Sequence, residues 1–331
     1  MSSPFDDIRA LLRQLPASDE PAASSIRAIF AAADRSTGCL GRIEDVAVWL
    51  ARWSGRVPAV RRPLVALFAG THGVATRGIS DEPADSTARM VELCAAGGAP
   101  VNGACVAYDI GLKAFDLALH LPTADITKEA ALDERACAAT MAFGMEAVAG
   151  GTDLLCVSGL GVGEETVAAA ILAALYGGTG RDWTMPTARM DAAIVEQRAA
   201  VIDQALALHK PHLSDPLEAL RRLGGREFAA IAGAILAARM ERVPVVLDGS
   251  AALAVAAVLY KLDPSAIGHC LLAQRPVGAN FAKVAERLEL MPLLDLQISH
   301  GKGTAAAIAA GMIKAAVQIA ATLSEANRAK A

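Results

Sequence analysis

What constrains this chain most is a repeated unit: a short apolar run that stops at glycine, followed by an alanine-rich helical stretch. Residues 64–69 (LVALFA) run into Gly70-Thr71-His72-Gly73, residues 154–158 (LLCVS) into Gly159-Leu160-Gly161-Val162-Gly163, and residues 243–247 (VPVVL) into Asp248-Gly249. Unbroken apolar runs of this kind read as strands buried on both faces of a parallel sheet. Residues 112–119 and 269–273 are further strand candidates, and 292–296 is a short apolar run leading to His300-Gly301-Lys302-Gly303-Thr304. Helical patterns fill the intervals at 90–98, 134–150, 227–239, 251–260, 277–288 and 305–323. The alternation predicts an α/β fold with a parallel sheet flanked by helices, a Rossmann-like three-layer arrangement. Only 4% of residues are aromatic, so Ala, Leu, Val and Ile must fill the core, which suits close helix packing.

Residues 1–63 contain no strand and read as helices at 8–15, 24–33 and 42–53, broken by polar loops. They are expected to form a small helical domain, with the C-terminal helix as a candidate addition, leaving 64–331 as the α/β domain.

Several classes of function are disfavoured. Lys and Arg number 31 against 35 Asp and Glu, for a net charge of −4, and no basic patch stands out, so nucleic acid is not an expected partner. The acidic N-terminus lacks the apolar core of a signal peptide, and the most apolar windows fall short of the ~20 residues of a membrane span. Six cysteines without CxxC or paired spacing suggest a reduced, cytoplasmic protein with buried thiols.

Ligands of parallel α/β sheets bind at the carboxyl ends of the strands. That rule selects the loops 70–73, 158–165, 183–190, 248–250 and 300–304. In the first, His72 reads either as a catalytic acid or as a hydrogen-bonded loop anchor. Gly159, Leu160, Gly161 and Gly163 open a helix and suit an anion, yet Glu164 and Glu165 follow at once and equally suit a plain helix start. The loop matches neither the dinucleotide nor the Walker pattern, which argues against a dehydrogenase. Asp248 reads equally as a ribose ligand or as an acceptor for neighbouring amides. Gly301, Gly303 and Thr304 at a helix start suit an anion or a connector. Lys302, an amine rather than a carboxylate or imidazole, is not read as a general base, whereas His300 is a candidate.

Long blocks of this chain resemble the nicotinate-nucleotide–dimethylbenzimidazole phosphoribosyltransferases. The similarity covers nearly the whole chain and is clearest in LVALFAGTHGVATRGIS (64–80), MVELCAAGGAPVN (90–102), DERACAATMAFGMEAVAGGTDLLC (133–156), LSDPLEALRRLGGREFAAIAGAILAARMERVPVVLDG (213–249) and GKGTAAA (301–307). The resemblance implies transfer of phosphoribose from nicotinate mononucleotide to 5,6-dimethylbenzimidazole, giving α-ribazole phosphate and nicotinate. It also implies a homodimer and no metal or organic cofactor. His72, Gly73, Gly161, Gly163, Asp248, Gly249, Gly301, Gly303 and Thr304 match the family's pattern. The ligand loops depart from it. The family's general-base glutamate falls at Lys302. Its glutamate-methionine-glycine-x-glycine-asparagine-threonine loop becomes Gly159 to Glu165, so a carboxylate is lost at 159 and two are gained at 164 and 165. Thr71 stands where the family has Asp or Asn, and the phosphate loop falls at Met185-Pro186-Thr187-Ala188-Arg189. Loss of a general base costs roughly 10²–10⁴ in rate. The expectation is therefore weak or altered family activity, with His300 or Glu165 as substitute base. The alternative is an inactive paralogue that binds, regulates or stabilises a partner, including as a mixed dimer with an active homologue.

Overall fold

The computed structural model describes residues 3–33, 39–55, 59–184, 191–299 and 302–330. Six strands form one parallel sheet: β1 (Pro63–Ala69), β2 (Gly111–Asp116), β3 (Leu154–Leu160), β4 (Val245–Asp248), β5 (Cys270–Gln274) and β6 (Pro292–Leu294), in the order β2-β1-β3-β4-β5-β6. Side chains alternate between two cores, as the period of a strand requires. Ala66, Phe68, Leu155, Val157, Val245 and Leu247 point to one face, and Val65, Leu67, Leu154, Cys156 and Val246 to the other.

The first face is covered by α1 (Pro4–Leu12), α6 (Glu134–Met145), α7 (Glu164–Tyr176), α8 (Gly180–Trp183), α9 (Ala192–His209), α10 (Pro216–Leu223), α11 (Arg226–Met240), α12 (Gly249–Leu262) and α13 (Ala279–Arg287). The second carries α2 (Glu20–Ala31), α3 (Arg42–Ser54), α4 (Ser86–Ala95), α5 (Pro100–Tyr108) and α14 (Thr304–Lys330). The helices of 1–63 are thus divided. Phe5, Ile8 and Leu12 of α1 join the core around α6, while Ile26, Phe30, Val46 and Leu50 of α2 and α3 join that of α14.

The chain moves from β1 to β2 over the second face, then doubles back to β3 and onward over the first. The direction reverses between β1 and β3, which opens a crevice beyond their carboxyl ends. The crossover helices pack closely: Cβ atoms at Gly144 and Gly233 would collide with the backbone of Ala230 and Met141, so α6 and α11 meet without side chains between them.

Some elements differ from the sequence pattern. β2 stops at Asp116 rather than 119, because the Asp116 carboxylate accepts the Leu119 amide at 2.9 Å and Ala118 turns at φ +59°. α5 and α9 were not expected. Proline starts the first of these, and neither shows a sharp apolar stripe. The stretches Ser86–Tyr108 and Thr304–Ala329 are long and apolar enough for a membrane span, but 86–108 is broken into α4 and α5 and α14 packs on the sheet. Cys94, Cys105, Cys137, Cys156 and Cys270 are buried thiols, as expected, and Cys39 is exposed.

Candidate active site

The carboxyl ends of β3, β4 and β5 and the segment just before α14 converge on a cleft with three lobes. The central, polar lobe, about 70 Å³, is lined by Ser158, Gly159, Glu164, Asp248, Gln274 and Lys302, among others. It shares Glu165, Gly249, Ser250, Ile298 and Ser299 with an apolar lobe of about 80 Å³ formed by Leu253, Leu272, Pro276, Val277 and Phe281. It shares Glu82, Gly161 and Lys302 with a wider lobe of about 320 Å³, walled by Met90 and Leu93 of α4 and by Leu160 and Val162.

Glu164 opens α7 behind Gly163, whose φ of +84° is open to glycine at little cost. Its carboxylate folds back over Gly159: a Cβ built there would lie 2.5 Å from Glu164 Oε2. Glycine at 159 therefore makes room for a carboxylate that arrives from 164. Glu164 is buried and Oε2 has no hydrogen-bond partner. Burial raises its pKa to about 7, opposed by the Lys302 charge and reinforced by Glu227. Glu165 is held by Arg198, whose Nη1 donates to Oε2 at 3.1 Å while Nε donates to the Ile79 carbonyl at 2.7 Å.

Asp248 ends β4 as expected, and its carboxylate receives the Ala306 amide at 3.1 Å, with Gly303, Ala305 and Gly249 amides also turned to it. It caps the start of α14, and burial nonetheless raises its pKa to about 6. Lys302 adopts φ +43°, a left-handed conformation rarely taken by a lysine, and Gly303 follows at +87° against Leu67 and Val65. Thr304 begins α14. His300, Gly301 and 185–190 lie outside the described residues.

His72 stands behind the cleft rather than on it. Its Nε2 is 2.5 Å from Glu227 Oε1, with both side chains buried. Burial alone would lower the His72 pKa, but the Glu227 carboxylate overrides it and holds the ring above its usual value of 6.5. Gly70, Gly161 and Gly225 close around the pair, and added Cβ atoms at each would strike His72 or Glu227. Thr71 and Gly73 are tied into the same support: the Thr71 hydroxyl donates to the Leu119 carbonyl at 3.1 Å and the Gly73 amide to the Thr123 carbonyl at 2.9 Å.

The structure therefore brings Gly159, Gly161, Gly163, Glu164, Glu165, Asp248 and Lys302 to one cleft, with Leu160 on its wider lobe. It places Thr71, His72 and Gly73 behind it. Arg198 and Glu227 carried no site signal in the sequence. Arg198 lies on an unexpected helix, and Glu227 follows Gly224-Gly225 in a first turn that reads as ordinary capping. Arg221 and Arg222 both bind Glu218, at 2.6 and 2.7 Å. Among the described residues no group of His, Cys, Asp and Glu is placed to hold a metal ion.

Comparison with known proteins agrees with this architecture. The profile of a family described as phosphoribosyltransferase matches residues 15–331. The chain is 56% identical over 313 residues to the nicotinate-nucleotide–dimethylbenzimidazole phosphoribosyltransferase of Rhizobium johnstonii, covering 95% of this chain and 93% of that protein. It is 54% identical over the same length to that of Sinorhizobium fredii, with the same coverage. The crystal structure of the enzyme from Thermus thermophilus superposes with a TM-score of 0.83 at 29% identity, over 91% of this chain and 96% of that one. The chain belongs to the nicotinate-nucleotide–dimethylbenzimidazole phosphoribosyltransferase family.

Proposed function

We propose that this protein moves a phosphoribosyl group between two aromatic heterocycles, from nicotinate mononucleotide to 5,6-dimethylbenzimidazole, with Glu164 as proton acceptor. The observation that carries the reading is the cleft itself. A polar lobe with a buried carboxylate, Glu164, whose Oε2 has no hydrogen-bond partner joins two lobes that have apolar walls. Displacement at C1′ needs room for an incoming and a leaving base on either side of a sugar. It also needs a carboxylate for the proton of the incoming base.

In this reading the lone pair of one benzimidazole nitrogen attacks C1′. The C1′–N bond to the pyridinium breaks, and its electron pair neutralises the departing ring. The proton on the other benzimidazole nitrogen passes to Glu164. A carboxylate with a pKa near 7 is half ionised at neutral pH, which suits it to receive that proton. Lys302 faces the same lobe and offsets the Glu164 charge. The carboxylate relocated from position 159 to 164 thus supplies chemistry that Lys302, a cation, does not.

The test is product formation from nicotinate mononucleotide and 5,6-dimethylbenzimidazole by the full-length protein and by Lys302→Glu. Slow formation of α-ribazole phosphate by the native protein, rising in Lys302→Glu, supports the reading. No product from either form supports the alternative of a catalytically inactive paralogue that keeps the cleft for binding.

A further inference from the structure

One buried charged pair takes no part in the transfer derived above. His72 follows the end of β1 and Glu227 sits in the first turn of α11, with His72 Nε2 2.5 Å from Glu227 Oε1 and both side chains closed to solvent. The pair lies directly behind the loop that delivers Glu164. A Cβ added at Gly161 would fall 3.1 Å from His72 Nε2 and 3.4 Å from Glu227 Oε1, so only a glycine stands between the pair and that loop. The Gly70 amide, on the same side, donates to the Leu160 carbonyl at 3.0 Å. The Gly161 carbonyl accepts the Glu164 amide at 3.2 Å and starts the turn that carries this carboxylate to the cleft.

We propose that His72 is a positioning residue for the transfer: held against Glu227 behind Gly161, its charge cancels that of the Glu227 carboxylate and leaves Glu164 free to exchange its proton with the incoming base. The inference rests on the reading of Glu164 as proton acceptor and names a residue that acts through it. Burial does most to favour the protonated form of Glu164, Glu227 and Glu165 reinforce it, and Lys302 and His72 oppose it. Glu82, Asp248 and Arg198 share its lobe, and His72 itself faces Glu227, Glu164 and Arg226. Burial would discharge the His72 ring, but the Glu227 contact overrides it and holds the ring above its usual 6.5. A neutral side chain at 72 leaves the Glu227 carboxylate uncompensated behind the loop, and a second carboxylate close to a buried one makes it hold its proton more tightly.

The test measures kcat/KM against pH for α-ribazole phosphate formation from nicotinate mononucleotide and 5,6-dimethylbenzimidazole. It uses the full-length protein, His72→Gln and His72→Gln/Glu227→Gln, with thermal unfolding as the check on folding. In His72→Gln the inflection is expected to move up by about one unit, with a rate at neutral pH lower by roughly tenfold and a plateau close to native at higher pH. Removing the second charge in the double variant should bring the inflection back toward its native position. A merely structural role lowers the plateau and leaves the inflection in place, and that result overturns the proposal. Should His72→Gln fail to fold, nitrogen NMR of the histidine rings in the native protein decides, with His72 assigned through Glu227→Gln. A His72 ring charged at pH 6.5 in the native protein and neutral in Glu227→Gln supports the proposal, and a ring already neutral there overturns it. A native protein that forms no product removes the transfer reading and the proposal with it. Product whose inflection ignores His72→Gln removes the proposal and leaves the transfer standing.

Discussion

Two helix starts, side by side at the carboxyl edge of the sheet, show the same local design with opposite outcomes. α7 and α11 each follow a glycine and each place a buried glutamate in the first turn, Glu164 in one and Glu227 in the other. Glu227 meets a buried histidine at 2.5 Å and is enclosed by three glycines. Glu164 has no partner on Oε2 and turns to the cleft. A buried carboxylate whose charge is balanced behaves as scaffold, and removal of one member leaves the other stranded. One that borders a cavity with an oxygen left without a hydrogen-bond partner carries a stability cost and a shifted pKa, the usual marks of a functional group.

The comparison breaks most easily at Glu227. Glu227→Ala strands a histidine held in its charged form, and the expected loss is on the order of 3–5 kcal/mol, read by urea unfolding near pH 6. A loss below about 1 kcal/mol would mean that the pair is not structural. Glu164→Gln should act in the opposite direction. Its folded pKa is raised to about 7 from an ordinary 4.5, so the native state holds a proton the unfolded chain has released. Native stability therefore falls as pH rises from 4.5 to about 7. The glutamine variant should be more stable above pH 7 by up to about 3 kcal/mol, with the gap closing toward pH 4.5. A variant less stable at every pH would make Glu164 scaffold as well.

A smaller effect sharpens the boundary between the two sites. Gly161 separates them: an added Cβ would lie 2.9 Å from the Gly70 carbonyl and 3.1 Å from His72 Nε2. Gly161→Ala should cost roughly 1–3 kcal/mol in thermal or urea unfolding. Val106→Ser, on a side chain 83% exposed and remote from both carboxylates, should stay within about 0.5 kcal/mol.

The fold was largely legible because strands buried on both faces leave apolar runs, and glycine marks where each meets its loop. Of the loops chosen by the strand-end rule, 158–165, 248–250 and Lys302 of 300–304 reach the cleft, whereas 70–73 lies behind it. Two kinds of information were not legible. A first-turn glutamate reads the same in sequence whether a histidine from a distant strand end meets it, as at Glu227, or not, as at Glu164. The fold-back of Glu164 over Gly159 depends on two positions that look like separate losses and gains until the chain is closed. Asp248 was ambiguous for a similar reason. The amides it caps belong to α14, 58 residues downstream.

The most direct test is the pH dependence of phosphoribosyl transfer from nicotinate mononucleotide to 5,6-dimethylbenzimidazole by the native protein and by Glu164→Gln, with donor binding measured alongside. If Glu164 takes the proton, native kcat/KM rises through about pH 7. The glutamine variant then loses roughly 10²–10⁴ in rate and that inflection, with donor affinity retained or improved. A glutamine variant that keeps the native rate and inflection would contradict the assignment.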